Sequence, residues 1–241
     1  MTASLLLFTK PAIPGRVKTR LAATVGEERA ATIHRAFAGD VIERLRAGRH
    51  FELQVSWALA DGEEPPTWPE AEGLRWSRQH PGDLGDRLYA ALHRACRAGG
   101  AAAAVGSDHP EVDPELVERA FSWLESGADL VLGPASDGGY YLIAVAAHAL
   151  GERLFQDIDW STERVRQQTL ERAAELGLRV RELPMGHDID REPDLRALAI
   201  RLQGDPELCP RTRRTLAAWG WLQGDSASEV SVGEGEVPCG S

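Results

Sequence analysis

Cysteine is scarce: Cys96, Cys209 and Cys239 are odd in number and far apart. They form neither a disulfide framework nor a metal-ligand spacing, so each reads as a small buried or incidental residue. No apolar run approaches the roughly 18–20 residues that cross a bilayer. Ser4–Phe8 is too short for a signal-peptide core and has no basic segment before it, so a cytoplasmic protein without membrane contact is expected. An excess of positive charge is also missing. With 37 acidic against 27 basic residues the net charge is −10, which argues against nucleic acid as a partner. The familiar phosphate loops are absent too. Gly15 and Lys18 are separated by Arg16 and Val17, which breaks the Walker A pattern, and no Gly-x-Gly-x-x-Gly opens a helix. Lysine itself is nearly absent: Lys10 and Lys18 are the two lysines, and every other basic residue is arginine.

What is present is globular. The 241 residues are 43% hydrophobic and 27% charged, enough for one domain with a sizeable core. One domain is expected over 1–222. A flexible tail is expected over 223–241, where Ser, Gly, Glu and Val follow no period. Apolar runs at Ser4–Phe8, Phe51–Leu59, Ala101–Gly106, Ala128–Gly133 and Tyr140–Ala146 predict strands, with shorter ones at Leu74–Trp76 and Leu178–Leu183. Helices are expected over Gly26–Arg46, from Asp83 to about Ala98, after the Asp113-Pro114 start signal, from Ser161 or Thr162 to about Leu176, at about Asp194–Leu202 and at Arg211–Trp221. Alternation of strand and helix makes the fold class α/β, with a mainly parallel sheet and helices on both faces.

The chain is organised around Lys10–Leu21. A strand leads into a Gly/Pro loop carrying Lys10, Pro14, Gly15, Arg16, Lys18, Thr19 and Arg20, and a helix follows. That arrangement is how an α/β protein builds an anion site, because a helix N-terminus adds free N–H groups and partial positive charge. Carboxylates stand at other strand exits: Asp108, Asp137 and the Asp188/Asp190 pair. Ligands of open α/β sheets bind at such exits. Carboxylates beside a phosphate-attracting loop suit a divalent metal, Mg²⁺ or Mn²⁺, which takes one or two carboxylates and completes its shell with water and substrate phosphates. The plainer readings are a turn for Asp137 and an N-cap for Asp83. Trp57, Trp76 and Trp160 read as core or rim, and His109 and His187 as neighbours of the site.

Together these motifs resemble a known family. Lys-Pro-x-x-Pro-Gly-x-Val-Lys-Thr-Arg-Leu at Lys10–Leu21, Gly82-Asp83-Leu84-Gly85-Asp86-Arg87, Gly106-Ser107-Asp108-x-Pro110 and Gly133–Tyr141 are similar to the DUF2064 family of GT-A-type nucleotide-diphospho-sugar transferases. Ile158-x-Trp160-Ser161-Thr162 and Asp188-Ile189-Asp190 complete the match. The family is in turn similar to 2-phospholactate guanylyltransferase-like enzymes of deazaflavin-cofactor synthesis. The resemblance implies a Rossmann-like GT-A fold binding a nucleotide or nucleotide-sugar, a small acceptor and a metal. By position, Lys10, Arg16, Lys18 and Arg20 would hold phosphates, with Lys18 and Asp108 catalytic. Asp108, Asp188 and Asp190 would hold the metal. Gly82 and Asp83, with Asp137, Gly138, Gly139 and Tyr140, would line the sugar or acceptor pocket. Metal-dependent glycosyl transfer is the leading expectation. Gly106-Ser107-Asp108 offers one carboxylate where a glycosyltransferase usually has Asp-x-Asp, so nucleotidyl transfer with pyrophosphate release stays open, and nucleotide binding without catalysis is the third reading. A homo-oligomer is compatible with the sequence.

Overall fold

The computed structural model describes residues 3–222; the expected tail and Cys239 lie outside the described residues. Seven strands form one sheet: β1 (Ala3–Thr9), β2 (Phe51–Trp57), β3 (Arg75–Arg78), β4 (Ala101–Gly106), β5 (Leu130–Pro134), β6 (Tyr140–Ala146) and β7 (Val180–Glu182), in the order β3-β2-β1-β4-β6-β5-β7. β6 runs antiparallel to both its neighbours and the other pairings are parallel. The helices are α1 (Thr19–Val25), α2 (Glu27–Arg46), α3 (Leu84–Gly99), α4 (Pro114–Glu125), α5 (Val165–Glu175), α6 (Glu192–Gly204) and α7 (Pro210–Ala218).

β4 is Ala-Ala-Ala-Ala-Val-Gly, a poor strand by propensity, yet it is central because both faces are covered. Ala103 and Val105 face a core built with Val41, Ile42, Val117 and Phe121 of α2 and α4. Ala102 and Ala104 face the other core, built with Leu88, Leu92 and Ala173 of α3 and α5. Small side chains let helices approach the sheet closely on either side. A third cluster lies outside these layers, where Ile33 and Phe37 of α2 pack against Leu195 and Leu198 of α6 and Leu216 of α7. Two-sided packing explains why α2 buries residues around most of its circumference.

Two local expectations are corrected. Lys10–Leu21 is not loop throughout: α1 begins at Thr19, one residue after Lys18 adopts a left-handed backbone with φ 47°. α5 begins at Val165 without a capping side chain, and Thr162 instead accepts from Arg164 N–H in the turn before it.

The chain leaves β1 outward to β2 and β3, then returns through α3 to β4 on the other side of β1. This reversal makes a crevice between the carboxyl ends of β1 and β4, where Phe8 pairs with Gly106. Since β6 is antiparallel, the β5–β6 turn carrying Asp137 opens at the same edge. Beyond β7 the chain crosses that edge: Leu183 N–H donates to Leu132, Gly186 N–H to Pro134 and Ile189 N–H to Asp108, at 2.8, 2.8 and 2.9 Å. Those backbone bonds bring Asp188 and Asp190 to Asp108.

Candidate functional site

Lys18 is the centre of the site. Its side chain is 3% exposed, and its ammonium lies 2.8 Å from Asp108 Oδ1 and 3.1 Å from Asp190 Oδ1. It donates also to the Ile189 carbonyl at 2.6 Å. Burial alone would depress its pKa, but the two carboxylates outweigh burial and hold it above its ordinary value. Asp108 shows the reverse balance: desolvation would raise its pKa, and Lys18, His34 and Lys10 bring it below the usual carboxylate range. Arg20 reaches Asp190 Oδ2 at 3.5 Å from the exposed side.

Asp188 is the odd member. Its Oδ1 is buried without a hydrogen-bond partner. Desolvation and the charges of Asp108 and Asp137 push its pKa up to about 7, against a smaller opposing effect of Lys18. A buried carboxylate oxygen without a donor is costly, so it fits a position that a cation completes. Yet among the described residues no group of three His, Cys, Asp or Glu is arranged to hold a metal alone. The reason is geometric: the Lys18 ammonium lies between Asp108 and Asp190. The hard oxygen donors fit Mg²⁺ or Mn²⁺ as a partial site that substrate phosphates would finish.

His34 of α2 lies beneath this cluster. Its Nε2 donates to the Lys10 carbonyl at 3.1 Å, and its Nδ1 faces Asp108 at 4.0 Å. Burial is the largest influence and lowers its pKa, against the opposing pull of Asp108 and the Lys10 carbonyl. Thr9 donates to Ser107 at 3.2 Å between the ends of β1 and β4. His109 packs against Tyr141, with ring centroids 4.8 Å apart, and donates from Nδ1 to the His187 carbonyl. It supports the crossing segment and does not enter the cluster.

Three contiguous cavities surround these groups. The central cleft, about 670 Å³, is lined by Lys10, His34, Gln79, Arg87 and Asp108. On the β2–β3 side a cavity of about 490 Å³ is lined by Lys10, Arg16, Arg78 and Arg87. On the α3 side lies one of about 640 Å³, and Asp83 and Trp160 line both it and the central cleft. Pro14 and Gly15 are exposed in the cationic loop, where Arg16 is bonded to Glu63, and Thr19 is exposed at the start of α1. Gly82 and Asp83 open α3, and Asp83 is an N-cap within a capping box with Asp86. Asp137 Oδ1 accepts from Gly139 N–H at 2.9 Å, so its turn role is real. Gly138, with φ 89°, has the Glu163 carbonyl where a Cβ would lie, at 2.1 Å. Tyr140 departs from its expected place: its hydroxyl is buried, its pKa is raised by that burial, and it lines a separate apolar cavity of about 100 Å³. His34, Gln79, Arg87 and Trp160 are additions. Only Trp160 and Arg87 stood inside sequence motifs; His34 and Gln79 carry no local signal.

The strand order and the crevice position define a GT-A-like α/β fold. A family model described as "Uncharacterized protein conserved in bacteria (DUF2064)" matches residues 41–162, and the chain belongs to this family. A solved structure from Desulfovibrio desulfuricans G20, provisionally named a nucleotide-diphospho-sugar transferase, is 31% identical, with 92% of this chain and 97% of that chain covered and a TM-score of 0.82. A cytidylyltransferase from Leptospira borgpetersenii serovar Hardjo-bovis matches at 14% identity over 94% of this chain and 98% of its own, with a TM-score of 0.57. Rv0371C of Mycobacterium tuberculosis H37Rv, solved in complex with manganese, matches at 15% identity over 82% and 98%, with a TM-score of 0.50. The last two show the fold alone. No curated protein matches the chain.

Proposed function

We propose that the protein is a metal-dependent transferase that moves a sugar from a nucleotide-diphospho-sugar to a small acceptor. The observation that carries this is the ammonium of Lys18 held between Asp108 and Asp190 at the switch point of the sheet. The Desulfovibrio relative's name supports the donor class, and manganese in a structural neighbour supports the metal. Asp108 and Asp188, with Asp190, would hold the ion, and a divalent ion there would supply neutralisation of the charge on a departing diphosphate. Lys10, Arg16 and Arg87 would hold the phosphates and Lys18 would release toward them. The acceptor oxygen bonds to the anomeric carbon, the carbon–oxygen bond to the diphosphate breaks, its electron pair leaves with the diphosphate, and the acceptor proton passes to solvent or a nearby carboxylate. His34, bonded to the Lys10 carbonyl, would hold the backbone at Lys10 in place beneath the cluster.

A second reading is nucleotidyl transfer, favoured by the single carboxylate at the exit of β4 and by the four cations around the 490 Å³ cavity. Nucleoside diphosphate release from nucleotide-sugars, against pyrophosphate release from nucleoside triphosphates, separates the two. Under either, Asp108→Ala and Lys18→Ala should each slow turnover by about 10²–10³-fold, the cost of losing one preorganised charge at a developing anion. Unchanged rates in both variants would remove the site.

A further inference from the structure

The three cavities are divided by charge. Lys10 and Arg87 line both cavities on the β1–β3 side, and Arg16 and Arg78 line the 490 Å³ one. Among the described residues no lysine or arginine lines the 640 Å³ cavity beyond Asp83 and Trp160. Its walls are the aromatic rings of Tyr89, Phe155 and Trp160. Between them stand Asp83, Asp86, Glu152 and Asp157. Trp160 is fixed against the α3 backbone, since its indole fills the space a Cβ on Gly85 would need, at 2.7 Å.

A helix N-terminus opening on a cavity is ordinarily a phosphate site. Here two carboxylates already stand at it. Asp86 N–H donates to Asp83 Oδ1 and Asp83 N–H to Asp86 Oδ2, so two of the amides at this end are already taken by carboxylates whose charge faces any incoming anion. Arg172 reaches Asp157 at 3.3 Å from α5, outside the lining residues, and leaves Glu152 unneutralised among the cavity's carboxylates. We propose that this cavity is the acceptor subsite and that it takes a hydroxyl-bearing, sugar- or polyol-like acceptor carrying no phosphate or carboxylate. Carboxylates accept hydrogen bonds from hydroxyls, and the aromatic walls stack the apolar face of a ring. An anionic acceptor meets the like charge of the lining carboxylates, and the Arg172 guanidinium is already paired with Asp157. The inference rests on the proposed transfer reaction and supplies its acceptor class.

The test uses the full-length protein and matched acceptors that differ by a phosphate: glucose and glucose 6-phosphate, glycerol and glycerol 3-phosphate, with glucosamine as a cationic member. Ligand-observed NMR reports binding without turnover. The unphosphorylated members should bind at least 10-fold more tightly than their partners. Trp160→Ala should weaken them about 10-fold, and Glu152→Lys, an exposed change, should move the preference toward the phosphorylated set. Tighter binding of phosphorylated members, binding indifferent to both variants, or no binding of any member overturns the proposal. Donor binding is measured separately with UDP-glucose and GDP-glucose in Mn²⁺. Donor binding without the acceptor preference sinks the acceptor class alone, and acceptor binding without donor binding sinks the transferase reading.

Discussion

Asp188→Asn should make the metal-free protein more stable and the metal-bound one worse. A carboxyl whose pKa rises from 3.8 to about 7 in the folded state must ionise at neutral pH in an environment that resists it. At about 1.4 kcal/mol per pH unit this is at most about 4 kcal/mol. Asp188 is only part-buried, so solvent relaxation should leave about 1–3 kcal/mol. The sign follows from linkage. The folded pKa is raised, so the favourable contribution is complete below pH 4, shrinks as pH rises toward 7, and is gone above. An amide at the same place carries no charge and offers N–H donors to Asp108 and Asp137. Urea midpoints at pH 5 and pH 8 without metal should therefore separate the two proteins at pH 8 and bring them together at pH 5.

Added Mn²⁺ with a nucleoside diphosphate should reverse the order. A ligand at 100 times its Kd stabilises by about 2.7 kcal/mol, and the variant has lost one of the oxygens that would hold the ion. Stability spent at a functional position is a familiar trade. An Asp188→Asn protein less stable than wild type at pH 8 without metal would refute the reasoning, since it would mean that Asp188 has a partner and bears no electrostatic cost.

Other outcomes follow from single contacts. Lys18→Met leaves Asp108 and Asp190 facing each other without their shared cation; it should cost about 3–5 kcal/mol by denaturation, and millimolar Mn²⁺ should restore part of it. Gly138→Ala places a methyl on the Glu163 carbonyl with φ already positive, and a Tm scan should show a loss of about 1–3 kcal/mol. Asp129 accepts from Arg179 and His148, bonds that hold its pKa below the usual range. Its stabilisation is present above pH 4 and lost as pH falls below that, and Asp129→Asn should cost about 2 kcal/mol at pH 7 and flatten the acid limb.

The five longer strands were readable because each carried its own apolar run, whereas the edge strands Arg75–Arg78 and Val180–Glu182 are polar and short and left a weaker trace. Strand order was not readable. Nothing local in Tyr140–Ala146 says that it runs antiparallel, since a strand buried on both faces reads the same in either direction. Asp108, Asp188, Asp190 and Lys18 were legible as an ensemble because each stands at a strand exit, and α/β topology gathers such exits at one edge. Residues acting from inside a helix were not legible. Asp40 looks like one more charge on α2, yet it accepts from the Arg211 and Thr212 amides and caps α7 from another element. His34 is silent in the same way, because its partners, Lys10 and Asp108, come from other parts of the chain.

The choice of lysine in a chain that otherwise uses arginine has its explanation in the same geometry. Three oxygens, from Asp108, Asp190 and Ile189, surround the Lys18 nitrogen at 2.8, 3.1 and 2.6 Å. An ammonium has three donors on one tetrahedral atom, whereas a guanidinium spreads five over a planar fork. The fork can meet two coplanar oxygens but cannot converge on three from separate segments, and the space is closed beside Phe37, whose ring centre is 5.7 Å from the nitrogen. Lys18→Arg, which conserves charge, should therefore behave as a disruptive substitution. It should lower the urea midpoint, because the longer side chain must leave the pocket or push the Ile189 segment outward. It should also reduce turnover by at least an order of magnitude, whereas Lys10→Arg, at a site open to two cavities, should be mild. Equal, small effects of the two substitutions would show that Lys18 is only a charge and that the three-oxygen cage has no part in its selection.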